Sequence, residues 1–244
     1  EHKFPTEVID LPSQGKVYIK DSPLSDGKIE LKYMTTREED ILMSQNLIKK
    51  GLAIDKLIDS LIVTEGVVQE DLILGDKNAV LVAARILAYG PQYTVGVPNP
   101  KNPEETIEHT FDLTECPFTK VPDDLDYSNN SFKYTTEVGK NEITFRLLTG
   151  KEEKLIEKDI KQLAKYGTES DLTTRLRYII TSVDGNSDQE TITSYSQNML
   201  ARDSVAFRKY MTDITPDIEL EQEIELGGET VSVSIPLTVE FFWP

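Results

Sequence analysis

Apolar residues in this chain follow two periods, and the order in which those periods alternate occurs twice. Gly27-Lys-Ile-Glu-Leu-Lys-Tyr-Met-Thr-Thr-Arg-Glu-Glu begins with period-two alternation and runs into a helix start. Asn141-Glu-Ile-Thr-Phe-Arg-Leu-Leu-Thr-Gly-Lys-Glu-Glu has the same plan. Thr35 stands three residues before Glu38 and Thr149 three before Glu152, the spacing of a capping box. Behind each start, apolar positions (Ile41, Leu42, Leu47, Ile48; Leu155, Ile156, Ile160, Leu163) predict a helix that stops at Gly51 or Gly167. A second helix follows on Ile54, Ile58, Leu61 and Ile62, and again on Leu172, Leu176, Ile179 and Ile180. A third is opened by a capping aspartate, Asp76 or Asp203, and carries Arg85 or Arg208 and then Tyr89 or Tyr210. The offset rises from 114 residues at the threonines to 123 at the arginines, as one ancestral unit with small insertions would give.

The segments outside these helices predict β structure. Gly96-Val-Pro-Asn-Pro-Lys-Asn-Pro reads as a turn-rich loop, its three prolines excluding a helix or a central strand. Ile107 to Leu113 alternates like a strand, and Cys116 to Asn130 is irregular and acidic. Ile218 to Leu226 alternates apolar with acidic, Gly227-Gly228 supplies a hairpin turn, and Thr230 to Ile235 returns with the same period. The expected fold is α+β, with two tandem, duplicated strand-plus-helices halves, each followed by a small antiparallel β segment. The expected divisions are an extended arm at 1–26, a helical repeat at 27–95 and a Pro-rich loop and β connector at 96–138. A second repeat at 139–215 and a β-hairpin with an aromatic tail at 216–244 complete them.

Acidic residues outnumber basic ones, 43 to 26. A sequence-independent nucleic-acid binder needs a basic face to displace phosphate counterions, and adsorption to anionic membranes needs one too. Neither is expected here. One cysteine cannot form a disulfide within the chain. The opening Glu-His-Lys-Phe-Pro lacks the apolar core of a signal peptide, so the chain is expected to be soluble and to fold inside the cell.

Candidate chemistry is sparse. His2 and His109 are the only histidines, and His109 is expected on the inner side of its strand with Ile107 and Phe111. No Ser-His-Asp or Cys-His arrangement and no phosphate-cradling glycine motif is visible, so no enzyme and no cofactor are expected. Asp184, Asn186, Asp188 and Glu190 place oxygens at every second position, as a calcium loop does. The glycine at the sixth position and the glutamate at the twelfth are missing, which favours a polar turn capping a helix that starts near Thr191. Asp123, Asp124 and Asp126 read as a solvated loop. Cys116 has threonine at the fourth position, Thr119, where a zinc knuckle would have cysteine, so it reads as a small buried residue. Arg85 and Arg208 are expected to pair with Glu38, Glu39, Glu152 or Glu153. The terminal Phe241-Phe242-Trp243-Pro244 is the candidate interface, either the end of a buried strand with Trp243 reaching a partner or a docking tag.

In order along the chain stand Leu11-Pro-Ser-Gln-Gly-Lys-Val-Tyr, Lys32-Tyr-Met-Thr-Thr-Arg-Glu-Glu-Asp-Ile-Leu and Gly75-Asp-Lys-Asn-Ala-Val…Arg85-Ile-Leu-Ala-Tyr-Gly. Met199-Leu-Ala-Arg-Asp-Ser…Arg208 and Pro236…Glu240-Phe-Phe-Trp-Pro follow. Together they resemble the baseplate hub subunit family of T-even-type contractile-tailed bacteriophages and their marine relatives. The resemblance runs from Leu11 to Pro244 and implies a non-enzymatic structural part of the virion tail baseplate, assembled in the host cytoplasm. It implies other baseplate and tail proteins as partners, with copies of the chain itself as further candidates. The alternative is a transient assembly chaperone for the hub, absent from the mature virion. Relatives carry paired cysteines where this chain has Cys116…Thr119 and the Gly227-Gly228 turn, so the β segments are expected to be a degenerate, metal-free zinc-ribbon-like element.

Overall fold

The computed structural model describes residues 4–167 and 170–243; His2 and Pro244 lie outside them. The first alternating segment has a partner that its own pattern hides. β1 (Thr6–Asp10) pairs antiparallel with β2 (Lys28–Lys32), Thr6 opposite Lys32 and Asp10 opposite Lys28. The expected arm is therefore folded in from Thr6 onward, and Leu11 and Leu24 of the intervening loop are buried. β1 escapes a hydrophobic pattern because none of its side chains is fully buried; only backbone pairing makes it a strand.

α1 (Thr36–Met43) begins at the first capping box, where the Glu38 carboxylate accepts from Thr35 N at 2.8 Å and Thr35 Oγ1 at 2.7 Å. The helix expected to reach Gly51 is broken at Ser44. That residue ends α1 and caps α2 (Gln45–Lys49), its hydroxyl accepting from Leu47 N. Gly51 then turns the chain at φ +69°, a conformation open to glycine at little cost. α3 (Ala53–Leu61) buries Leu57, Ile58 and Leu61, and its end hands Ile62 to a bridge with Leu31 of β2. α4 (Leu74–Tyr89) follows after a 3-10 turn.

β3 (Gln92–Asn99) and β4 (Asn102–Asp112) form a long hairpin. Gly96 to Pro103, expected as a loop, is its outer half, with Pro98 opposite Thr106. Both strands are edges of a two-stranded sheet, where a missing N–H can face outward.

The second half also begins with a hairpin and a capping box. β5 (Phe132–Thr135) and β6 (Glu142–Phe145) form a hairpin, and α5 (Gly150–Ala164) starts at the second capping box. α6 (Asp171–Ile179) then passes Ile180 to β7 (Ile180–Val183), which pairs with β6. α7 (Gln189–Asn198) and α8 (Ala201–Ile214) follow. β8 (Glu221–Leu226) and β9 (Glu229–Ser234) make the expected hairpin. None of the helices among the described residues is long and apolar enough to cross a membrane.

Two cores result. One gathers Phe132, Phe145, Ile156, Ile179 and Phe207 from the second half. The other joins Leu31, Leu57, Leu61 and Val80 of the first half to Phe111 of β4 and to Ile224, Leu226, Phe241 and Phe242 of the C-terminal segment. The C-terminal hairpin thus follows the second half in sequence but packs with the first. The crossing is close: a Cβ on Gly75 at the start of α4 would lie 1.8 Å from the Pro216 carbonyl oxygen, so only glycine fits there.

Glu38 is fully buried beside Lys32 Nζ (2.7 Å) and Ser60 Oγ (2.6 Å). Burial raises its carboxyl, but hydrogen bonds from Lys32, Ser60 and Thr35 outweigh that and bring it from 4.5 down to about 2. A carboxyl lowered by folding contributes stability that is present above its unfolded value and lost as pH falls through the folded one. The contribution is about 3 kcal/mol. Urea unfolding should therefore show the gap between the native chain and Glu38→Gln shrinking between pH 4.5 and 2; a gap of constant size would refute it.

Candidate interaction surfaces

Asp184 to Asp188 is a tight turn between β7 and α7, with Asp184 at φ +50° and Gly185 at +80°, and Glu190 lies in the first turn of α7. The Asp184 carboxylate accepts from Asn141 Nδ2 and Glu142 N, both at 2.8 Å, which holds it below the ordinary carboxylate range. Asn186 Oδ1 accepts from Asp188 N, and Asp188 is the N-cap of α7, which starts at Gln189, two residues ahead of the expected Thr191. The Asp184 oxygens are thus occupied by protein donors, and Asp188 and Glu190 stand exposed. Among the described residues no three acidic, histidine or cysteine side chains converge on a cation site.

The likeness to a zinc ribbon finds no support. Cys116 lies just past the inner end of β4, with Gln222 Nε2 3.9 Å from its sulfur. The Gly227-Gly228 turn lies at the other end of the hairpins, beside Asn99 and Lys101. The two places that would bear knuckles do not meet. Burial pushes the Cys116 thiol up, against the thiolate that a metal needs. His109 sits half-buried with its ring edge-on to Phe111 at 4.6 Å, on the expected side of β4.

Arg85 and Arg208 do not occupy like positions and do not pair with the capping-box acids. Arg85 is the twelfth residue of α4 and Arg208 the eighth of α8, one helical turn apart on the same face. Arg85 is 4% exposed; its Nε donates to the Phe241 carbonyl at 2.9 Å, and its guanidinium lies over Tyr89. Glu38 takes Lys32, Glu39 accepts from Tyr89, Glu152 takes Arg146 and Glu153 takes Arg175. Sequence periodicity gave the face but not the turn.

The two aspartates expected as caps are not caps of their own helices. The N-caps are Ile73 and Leu200; Asp76 and Asp203 each stand third in the helix and are buried. Asp76 accepts from Ser13 N (2.9 Å), Ser13 Oγ (2.6 Å) and Tyr18 Oη (2.6 Å). Asp203 accepts from Val138 N (2.9 Å) and Gly139 N (2.8 Å). Each pins the loop between the two strands of its own hairpin to the start of the last helix. An aspartate in a first turn carries a capping signal in sequence, but the donors it serves are remote in the chain.

The aromatic tail divides. Phe241 and Phe242 are fully buried, their rings edge-to-face at 5.3 Å, with Tyr93 5.0 Å from Phe241. They are core residues, and of the expected interface Trp243 alone, 51% exposed, remains on the surface. A groove of about 670 Å³ opens on the other half, between α6, α8 and the segment from Asp217 to Glu221. Leu176 and Ile179 line it, with Leu172 and Met211 partly uncovered and Arg208 exposed.

Residues 5–163, more than half of the chain, match a family model described as T4 bacteriophage base plate protein. No curated protein matches, and no solved structure does.

Proposed function

The chain belongs to the T4 bacteriophage base plate protein family, and on that premise we propose that it is a non-enzymatic structural subunit of the baseplate hub. The match over residues 5–163, from β1 to α5, carries this reading. Its partners are other baseplate and tail proteins, reached through protein surfaces rather than nucleic acid or membrane. Its place is the virion tail after assembly in the host cytoplasm. The net charge of −17 suits a subunit that stays dispersed until its partners arrive. The exposed edge and acidic outer face of β8, with Glu221, Glu223 and Glu225, suit contact with a neighbouring subunit. We also propose that the chain is two copies of one unit, β1 to α4 and β5 to α8, with the β3–β4 hairpin between them.

Quantitative mass spectrometry of salt-washed virions tests the role. The expected result is this chain in fixed ratio to other baseplate proteins. Abundance in infected-cell lysate with absence from virions would overturn it in favour of an assembly factor that leaves.

A further inference from the structure

The two proposed units bury the same helix face to very different degrees. α3 and α6 are both nine residues long, and each ends by giving an isoleucine to its sheet. Matched end to end, Ile58 corresponds to Leu176 and Leu61 to Ile179. Matching α4 to α8 on Asp76 and Asp203 sets Leu81 against Arg208 and Ala84 against Met211. In the first unit Ile58, Leu61, Leu81 and Ala84 are all buried, in one core with both long hairpins and Phe241 and Phe242. In the second, Leu176 and Ile179 form a floor, while Leu172, matching Ile54, is 42% exposed and Arg208 stands in solvent. This face is the groove of about 670 Å³.

We infer that the groove between α6 and α8 is a docking site for an extended segment of a partner protein that carries two adjacent aromatic side chains. The cover of the matching face shows the chemistry required. There a 3-10 turn, Val239–Phe242, brings two phenyl rings into the same core as Ile58, Leu61, Leu81 and Ala84 and turns a backbone carbonyl toward Arg85. Arg208 offers the same donor one turn earlier. Among the described residues the only hydrogen bond of its guanidinium is from Nε to Ser204 O of its own helix, and it has no carboxylate partner. A peptide supplies both the aromatic area and the carbonyl. The occupant is a different protein rather than a second copy. Phe241 and Phe242 of each copy are already buried in its own core, and a net charge of −17 on each copy opposes self-association.

This inference rests on the two-unit reading and is independent of the baseplate assignment. A fluorescein-labelled peptide of the sequence Pro236–Trp243, titrated with the full-length chain and followed by anisotropy, tests it. Saturable binding is expected, with roughly tenfold weakening in Arg208→Glu and in Met211→Glu, and in a peptide with serine at both phenylalanines. Arg208 is exposed, so its variant keeps the fold if the larger Met211 change does not; unchanged circular dichroism checks this. No saturable binding, or binding equal in both protein variants, would overturn the site. Dimerisation of the unmodified chain that Arg208→Glu abolishes would overturn the choice of occupant and give the groove to a second copy.

Discussion

Phe241→Ala and Phe242→Ala should each lower the unfolding free energy by about 3–5 kcal/mol, the range for emptying a fully enclosed phenyl site. Both rings are wholly out of solvent and touch each other, and Phe241 also meets Tyr93. The loss should appear as an earlier urea midpoint, with the surroundings of Phe111 and Leu57 loosened while the core around Phe145 and Phe207 keeps its amide protection. Trp243→Ala removes a half-exposed ring and should shift the midpoint little. If Trp243→Ala proved as damaging as either phenylalanine variant, the tail would not be seated as described.

Asp76→Ala should be comparably severe, about 3–5 kcal/mol, because it strands buried donors rather than merely removing a contact. Ser13 N, Ser13 Oγ and Tyr18 Oη all lose their acceptor, and Tyr18 Oη also accepts from Ile73 N, so the loss reaches the N-cap of α4. Asp203→Ala strands only two backbone donors on a more open loop, and about 1–3 kcal/mol is expected. Hydrogen exchange should show the Ser13 amide unprotected in the first variant and the Gly139 amide in the second. A protected Ser13 amide in Asp76→Ala would disprove the anchoring role. Burial pushes the Asp76 carboxyl up, with Asp217 adding to it, despite the bonds from Ser13 and Tyr18. A carboxyl raised by folding contributes stability present below its unfolded value and lost as pH rises through the folded one. Asp76 thus opposes acid unfolding, and the acid limb falls to Glu38.

Local chemistry wrote much of this protein legibly. The capping boxes at Thr35 and Thr149 form because their partners are three residues away. α3, α6 and the β8–β9 hairpin follow from periods of 3.6 and two and from the positive φ of Gly227 and Gly228. The family resemblance also held, at the level of a baseplate protein. Of the candidate site, Trp243 was legible as an exposed aromatic residue, but the groove between α6 and α8 was not. Its residues are spread over three segments, and each alone reads as an ordinary half-buried helix face or turn.

What the sequence could not decide were choices between partners remote in the chain. The alternation of Lys28–Lys32 marks a strand, but that Thr6–Asp10 pairs with it depends on a backbone ladder that leaves no apolar trace. Asp76 looks like a cap because a first-turn aspartate lowers the free energy of either arrangement, and only the folded chain brings Ser13 within reach. The aromatic tail is apolar enough for a core or an interface, and burial beside Tyr93 and Arg85 makes Phe241 and Phe242 core while Trp243 stays on the surface. Short-range hydrogen bonds and hydrophobic period are properties of neighbouring residues and so are written in order. That the C-terminal hairpin packs with the first core rather than with the half it follows goes with the path of the chain at Gly75 and Pro216, where the two backbones approach too closely for any side chain.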